Sequence, residues 1–191
     1  MTDQNPVMDF LLTRRSYPAA ALKAPAPEGA ALTMLLTAAA RVPDHGKLEP
    51  WRFLVIGAGA RDRIAGLLRS RGEALGVAPE KIEKSAKSWL NAPLIVAVIS
   101  TPKPSDKVPE IEQTLSSGAV CAALVNAALA SGWGAAWITG WAAFDREFVE
   151  QGLGLAPGEA VAGFVHLGTG ETKPAERPRP DIAAITARLD A

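Results

Sequence analysis

Apolar positions along the chain follow two periods. Leu32, Leu35, Leu36 and Ala39 recur at helical spacing between Glu28 and Arg41, and Ile64, Leu67, Leu68 and Leu75 do so between Ala60 and Gly76. Pro79 to Trp89 predicts a more charged helix. Glu110 to Ser131 predicts a long one with small residues over much of its surface, stopped by Gly132-Trp133-Gly134. Pro6 to Thr13 reads as a short helix with Asn5 as N-cap and proline at its first position. Phe144 to Gly152 and Ile182 to Leu189 complete the predicted helices. Shorter apolar runs read as strands: Trp51 to Ile56, Pro93 to Ser100, Ala135 to Thr139 and Glu159 to Gly168. Pro93 to Ser100 is apolar on both faces and is therefore predicted to be central in its sheet. Leu22 to Pro27 reads as a Pro-rich linker. Short links between alternating helices and strands predict one α+β or α/β domain over residues 1–191, with 172–191 as a C-terminal arm.

Composition narrows the function classes. Lys+Arg and Asp+Glu both number 20, so no bulk charge favours nucleic acid or an anionic membrane. The single cysteine excludes an intramolecular disulfide, and Cys121, within an apolar run, reads as a small buried hydrophobe. Two histidines and no spaced carboxylate cluster argue against a metal site. The polar, acidic N-terminus lacks the pattern of a signal peptide. The apolar run Gly118 to Ala130, broken by Asn126, reads as too short to cross a bilayer. A cytoplasmic setting is the expectation.

Chemistry concentrates in a few places. Arg41 to Phe53 packs two prolines, a glycine, His45 and other charged side chains into the connection between a helix and a strand. Functional loops have this make-up, because rigid elements hold them. Arg14-Arg15-Ser16 ends the first helix. Cations there suit the negative end of the helix dipole, and two guanidinium forks with a hydroxyl also suit a phosphate. Trp133, Trp137 and Trp141 surround a glycine-rich turn, a pattern that serves core packing or forms a wall for a planar aromatic ligand. Gly57-Ala-Gly59 resembles the start of a dinucleotide fingerprint, but Asp62 replaces the third glycine, so it reads as a turn and helix cap. Ser116-Ser117 reads as a cap, and His166, between Val165 and Leu167, as structural. The arm carries Arg177 and Arg179; it could wrap a partner or reach a phosphate, but reads first as a solvated tail.

Three separated signals together resemble the nitroreductase family: Arg14-Arg15-Ser16; Arg41-Val-Pro43-Asp44-His45 leading to Glu49-Pro50-Trp51-Arg52-Phe53; and Gly132-Trp-Gly-Ala-Ala-Trp137-Ile138-Thr139-Gly140. The likeness covers residues 8 to 170 and is greatest to compact bacterial NAD(P)H nitroreductases. It implies an α+β nitroreductase-like fold, a central mixed β-sheet flanked by helices, in a homodimer with FMN at the subunit interface. Arg14, Arg15 and Ser16 would hold the phosphate end of FMN. Arg41 and His45 would reach the cofactor from the partner chain, and Trp137, Ile138 and Thr139 would line its ring. The helix end Ala127, Ala128, Leu129, Ala130, Ser131 and Gly132 would contact the nicotinamide cofactor. The implied activity is ping-pong hydride transfer from NAD(P)H to a small nitroaromatic or quinone-like acceptor, with no side chain acting as nucleophile or obligatory acid. Glu49 departs from the glutamine common before Pro-Trp in the family, which leaves open a non-redox module that stores or senses flavin.

Overall fold

A computed structural model describes residues 5–189. Helix α1 spans Pro6–Thr13, and the Asn5 side chain accepts a hydrogen bond from the Val7 amide at 3.0 Å. A two-residue strand, β1 (Leu22–Lys23), replaces part of the expected linker. It is followed by α2 (Gly29–Ala39), β2 (Trp51–Ile56), α3 (Ala58–Ala74), α4 (Pro79–Leu90), β3 (Leu94–Ser100), α5 (Glu110–Ala130), β4 (Gly134–Ile138) and β5 (Ala160–Gly170).

The sheet differs from the mixed arrangement expected. Every pairing among the described residues is antiparallel: β2 with β3, β3 with β5, β4 with β5, and β1 with the end of β5. The connections explain this. After β2 the chain makes a two-helix hairpin, α3 and α4, which returns it to the end of the sheet it had just left, so β3 runs back beside β2. The single crossover helix α5 then sets β4 parallel in direction to β3, but β5 lies between them and opposes both.

β3 is buried along its whole length. Ile95, Ala97 and Ile99 point into a core with Ile64, Leu68, Trp89, Phe148 and Phe164 beneath α3 and α4. Leu94, Val96 and Val98 point the other way, into a core with Leu35, Cys121, Leu124, Val165 and Leu167 beneath α2 and α5. Trp89 meets the edges of Phe148 and Phe164 at centroid distances of 6.0 and 4.9 Å. Burial pushes the Cys121 thiol up to about 12, consistent with an inert core residue.

Two helix expectations fail. In place of a helix over 144–152 there is a 3-10 turn, Trp141–Phe144, and a π-helical turn, Phe148–Gly152. Arg71 of α3 grips Asp145 between them in a bidentate pair at 2.7 and 3.0 Å, and so fixes the break. Residues 182–185 form a turn and 186–189 have no regular structure, so no helix forms there. Ile182, Ile185 and Leu189 are all exposed, so no packing supports so short a helix. A third correction concerns α5. It has 21 residues and is long and apolar enough, by length and composition, to cross a membrane. Here Val120, Cys121, Leu124 and Ala128 pack it onto the sheet as a core helix.

Candidate functional site

Segment 14–17 lies along the outer edge of β4. Arg14 leaves α1 with extended backbone, and the Tyr17 amide donates to the Ala135 carbonyl at 3.0 Å. The Tyr17 ring covers Gly170, where any Cβ would collide with it. This seating opens a cleft of about 1030 Å³. At one end stand Arg14, Arg15 and Ser16; at the other stand Trp137 and Ile138 of β4. The Trp137 indole lies against Gly163, where a Cβ would overlap it, yet 42% of the residue stays exposed to the cleft.

The arginine end is strongly cationic. Arg14 Nη2 donates to Ser16 Oγ at 2.7 Å, so the sequence triplet acts as a unit. The arm stays largely exposed, as a solvated tail would, yet it passes the clamp and brings Lys173, Arg177 and Arg179 to the cleft, the placement of an arm that reaches toward a phosphate. One carboxylate balances this group: Glu176 accepts from Arg15 Nη1 at 3.2 Å and pairs with Arg179 Nη2 at 3.0 Å. Glu176 sits below its ordinary carboxylate range, first through the Arg177 amide that donates to it and then through Arg179 and Arg15. Burial, Arg179 and Arg15 all lower the pKa of Arg14. The Nε atoms of Arg14 and Arg15 are buried with no hydrogen-bond partner. Buried donors beside excess positive charge call for an anionic acceptor, and a phosphate supplies several acceptor oxygens at once.

The other expected site residues are dispersed. Thr139 is exposed one residue beyond β4 and does not line the cleft. Leu129 and Gly132 line a recess of about 260 Å³ that shares Arg14 and Arg15 with the cleft. Ala127 and Ala130 line an apolar groove of about 610 Å³ against Val7, Phe10 and Leu11. Ser131 is exposed at the helix end, and Ala128 is fully buried, with no surface for a ligand.

Arg41 and His45 belong to a separate constellation. His45 Nδ1 lies 2.7 Å from Glu112 Oε2 at the N-terminal end of α5, whereas the cleft adjoins the C-terminal end. These ends are about 30 Å apart at the rise of an α-helix. One protomer therefore does not bring Arg41 and His45 to its own cleft. Their loop is nonetheless well held. The Asp44 carboxylate accepts from the Leu48 and Glu49 amides at 3.2 and 2.8 Å, and Glu49 has a φ of 48°. Ser116 and Ser117, expected as caps, lie inside α5 and tie down this loop by donating to the Pro43 and Pro50 carbonyls, each at 2.9 Å. His166 is structural as expected: it is fully buried, neither ring nitrogen has a partner, and burial pushes its pKa down to about 4. Gly57 caps α3 as expected. No group of His, Cys, Asp and Glu suited to a metal occurs among the described residues.

Comparison with known proteins places this architecture. Residues 11–169 match the nitroreductase family profile. The chain is 35% identical over 166 residues to the Escherichia coli (strain K12) protein named "Putative NAD(P)H nitroreductase YdjA", covering 87% of this chain and 89% of that one. It superposes on a nitroreductase-like family protein from Bacillus cereus with a TM-score of 0.82 at 22% identity, over 100% of both chains. A nitroreductase with bound FMN from Bacteroides fragilis superposes with a TM-score of 0.73 at 20% identity, over 98% of this chain and 100% of that one. The chain belongs to the nitroreductase family of oxidoreductases.

Proposed function

We propose that this protein is an FMN-dependent NAD(P)H oxidoreductase that reduces nitroaromatic or quinone-like acceptors by ping-pong hydride transfer, as a homodimer. The observation that carries the reading is the pair of partly buried guanidinium groups whose buried Nε donors lack an acceptor, at one end of a cleft whose other end is an exposed indole. Arg14, Arg15 and Ser16 would bind the FMN phosphate, and Lys173 and Arg179 of the arm add charge beside it. Trp137 and Ile138 would face the flavin ring, with Thr139 just beyond. When bound, FMN would supply the hydride and electron chemistry that links the nicotinamide to the acceptor. The chain's own groups bind and orient; none stands as a nucleophile.

Dimerisation supports the rest of the site. Val7, Met8, Leu11 and Leu12 of α1 and Ile111 and Leu115 of α5 are exposed apolar side chains that a second copy would bury. A partner's loop would then bring Arg41 and His45 to the flavin that its own protomer cannot reach. At the end of α5, Leu129 and Gly132 adjoin the clamp and are the positions best placed to meet a nicotinamide cofactor; Ala127, Ala130 and Ser131 would contribute from the rim.

The test is the visible spectrum of the purified protein, followed by anaerobic NADPH or NADH and then an acceptor. A flavin band that bleaches, and returns with a nitroarene or quinone, is expected. Protein that retains no band after addition of FMN overturns the reading. Flavin held tightly but reduced by neither nicotinamide would replace it with the storage or sensing role that the Glu49 departure left open.

A further inference from the structure

The cofactor cleft continues past Ile138. Pro18, Ala19 and Ile138 are shared with a second recess of about 800 Å³, whose far wall is α4. Arg14 and Arg15 do not line this recess, so it opens from the Trp137–Ile138 end of the cleft and not from the clamp. Its floor is apolar, formed by Pro18, Ala19, Ala20 and Ile138, which suits a flat organic ring. Its wall is polar. Lys84, Lys87, Ser88 and Asn91 follow the i, i+3, i+4, i+7 spacing of one helix face, while Ile82, Ala86 and Trp89 turn the opposite face into the core.

Charge on that wall is unevenly matched. Glu83 accepts both arms of Arg69, at 2.6 and 3.2 Å, so its charge is already engaged. Glu80 is the remaining acid on the recess. Lys84 and Lys87 enter no ion pair among the described residues. Lys87 adds only a secondary pull on Glu83, so two exposed ammonium groups outside any ion pair, on stems that line an apolar recess, can meet at its rim an anion attached to a planar molecule.

Building on the flavin reading above, we infer that the α4 wall binds an anionic group carried by the molecule that exchanges at the flavin: a carboxylate on an aromatic acceptor, or the 2′-phosphate of NADPH. Lys84 and Lys87 are the specificity residues, and the redox step itself is unaffected by them.

The experiment compares the flavin-loaded wild type with Lys84→Ala/Lys87→Ala and with Lys107→Ala, an exposed lysine outside the recess. One arm measures kcat/KM for 4-nitrobenzoate relative to 4-nitrobenzamide, so that intrinsic reactivity cancels between proteins. A second measures KM for NADPH relative to NADH. A third measures calorimetric affinity for 4-nitrobenzoate and adenosine 2′-phosphate. The double variant is expected to lose about tenfold in one ratio through KM, at unchanged kcat, with a matching loss in affinity. Restoration by Lys84→Arg/Lys87→Arg is expected. A change confined to the first ratio identifies the acceptor carboxylate; one confined to the second identifies the nucleotide phosphate. Ratios and affinities equal in wild type and double variant overturn the inference. If wild type turns over nothing, the reductase reading fails on its own. The calorimetry still decides the wall: weaker anion binding in the double variant supports it, and equal binding overturns it.

Discussion

Two groups of arginines in this molecule are built differently. Arg71 of α3 and Arg52 of β2 each have carboxylates of their own. Arg71 grips Asp145 at 2.7 and 3.0 Å and also reaches Glu147; Arg52 grips Glu159 at 2.7 and 2.6 Å. At the cleft, Arg15 and Arg179 share one carboxylate, Glu176, whose side chain is 60% exposed, and Arg14 has only the Ser16 hydroxyl. Arg61 is intermediate: its Nε lacks a partner, but its other nitrogens donate to the Leu90 and Pro93 carbonyls at the end of α4. The lesson is that counting arginines does not find a binding site. A matched guanidinium holds the fold together, and an unmatched, partly buried one waits for an anion.

The largest effect expected comes from a third kind of unmatched group. His166 is buried where no counter-ion can reach, and its folded pKa, about 4, lies below the ordinary value of 6.5. The unfolded chain therefore binds the proton first as pH falls. Stability should be complete above pH ~6.5 and decline toward pH ~4, by roughly 3 kcal/mol in total. Melting curves of wild type and His166→Leu over that range check this, because the variant should lose most of the slope. Equal slopes would mean that His166 acquires a partner in solution.

Arg14→Ala is the next largest. It removes a fork with an orphaned donor from the proposed phosphate site, so FMN affinity should fall about a hundredfold. Melting of the apo protein should hold steady or improve, since burial and two neighbouring arginines disfavour this charge. Flavin fluorescence titration measures the first and calorimetry the second. Lys23→Ala should change neither, because Lys23 pairs with Glu171 on the open surface. Asp145→Ala should do the reverse of Arg14→Ala. Melting should drop by about 5 °C through loss of the Arg71 pair, with FMN affinity unchanged. A variant that lowered both would show that the two arginine groups are coupled through the sheet.

This contrast was only half legible in the sequence. Periodicity located β2 residue for residue and β3 within one, and the Asn5-Pro6 cap began α1 where the structure does. These are local signals, read from neighbouring residues. Arg14-Arg15-Ser16 and Trp137-Ile138 were legible as motifs, and the fold brings them into one cleft. Three features depended on distant partners. The sheet's antiparallel direction follows from the α3–α4 hairpin. The broken helix near Asp145 follows from Arg71, 74 residues away. The arm has no periodicity at all, and the contact that seats it joins Glu176 to Arg15 across 161 residues. Neither Arg14 nor Lys84 shows from sequence whether it is matched, because a match is a property of the folded chain.

Glu176 gives the smallest effect and the finest test. Its carboxylate stands among the arginines where the proposed phosphate would bind, and it also ties the arm to Arg15. These roles oppose each other. As a competitor, Glu176 weakens FMN binding; as a tether, it strengthens binding by holding Lys173 and Arg179 over the cleft. Its side chain is 60% exposed, so both ion pairs are weak and solvent-screened, and Glu176→Gln should shift FMN affinity by no more than about fivefold. The glutamine keeps an acceptor oxygen for Arg15 and for the Arg177 amide while removing the charge. The tether should therefore largely persist and the competition should end, so affinity is expected to rise, with the rise shrinking as salt is added. A fall in affinity would assign Glu176 to the matched class: a carboxylate that builds the site by seating the arm.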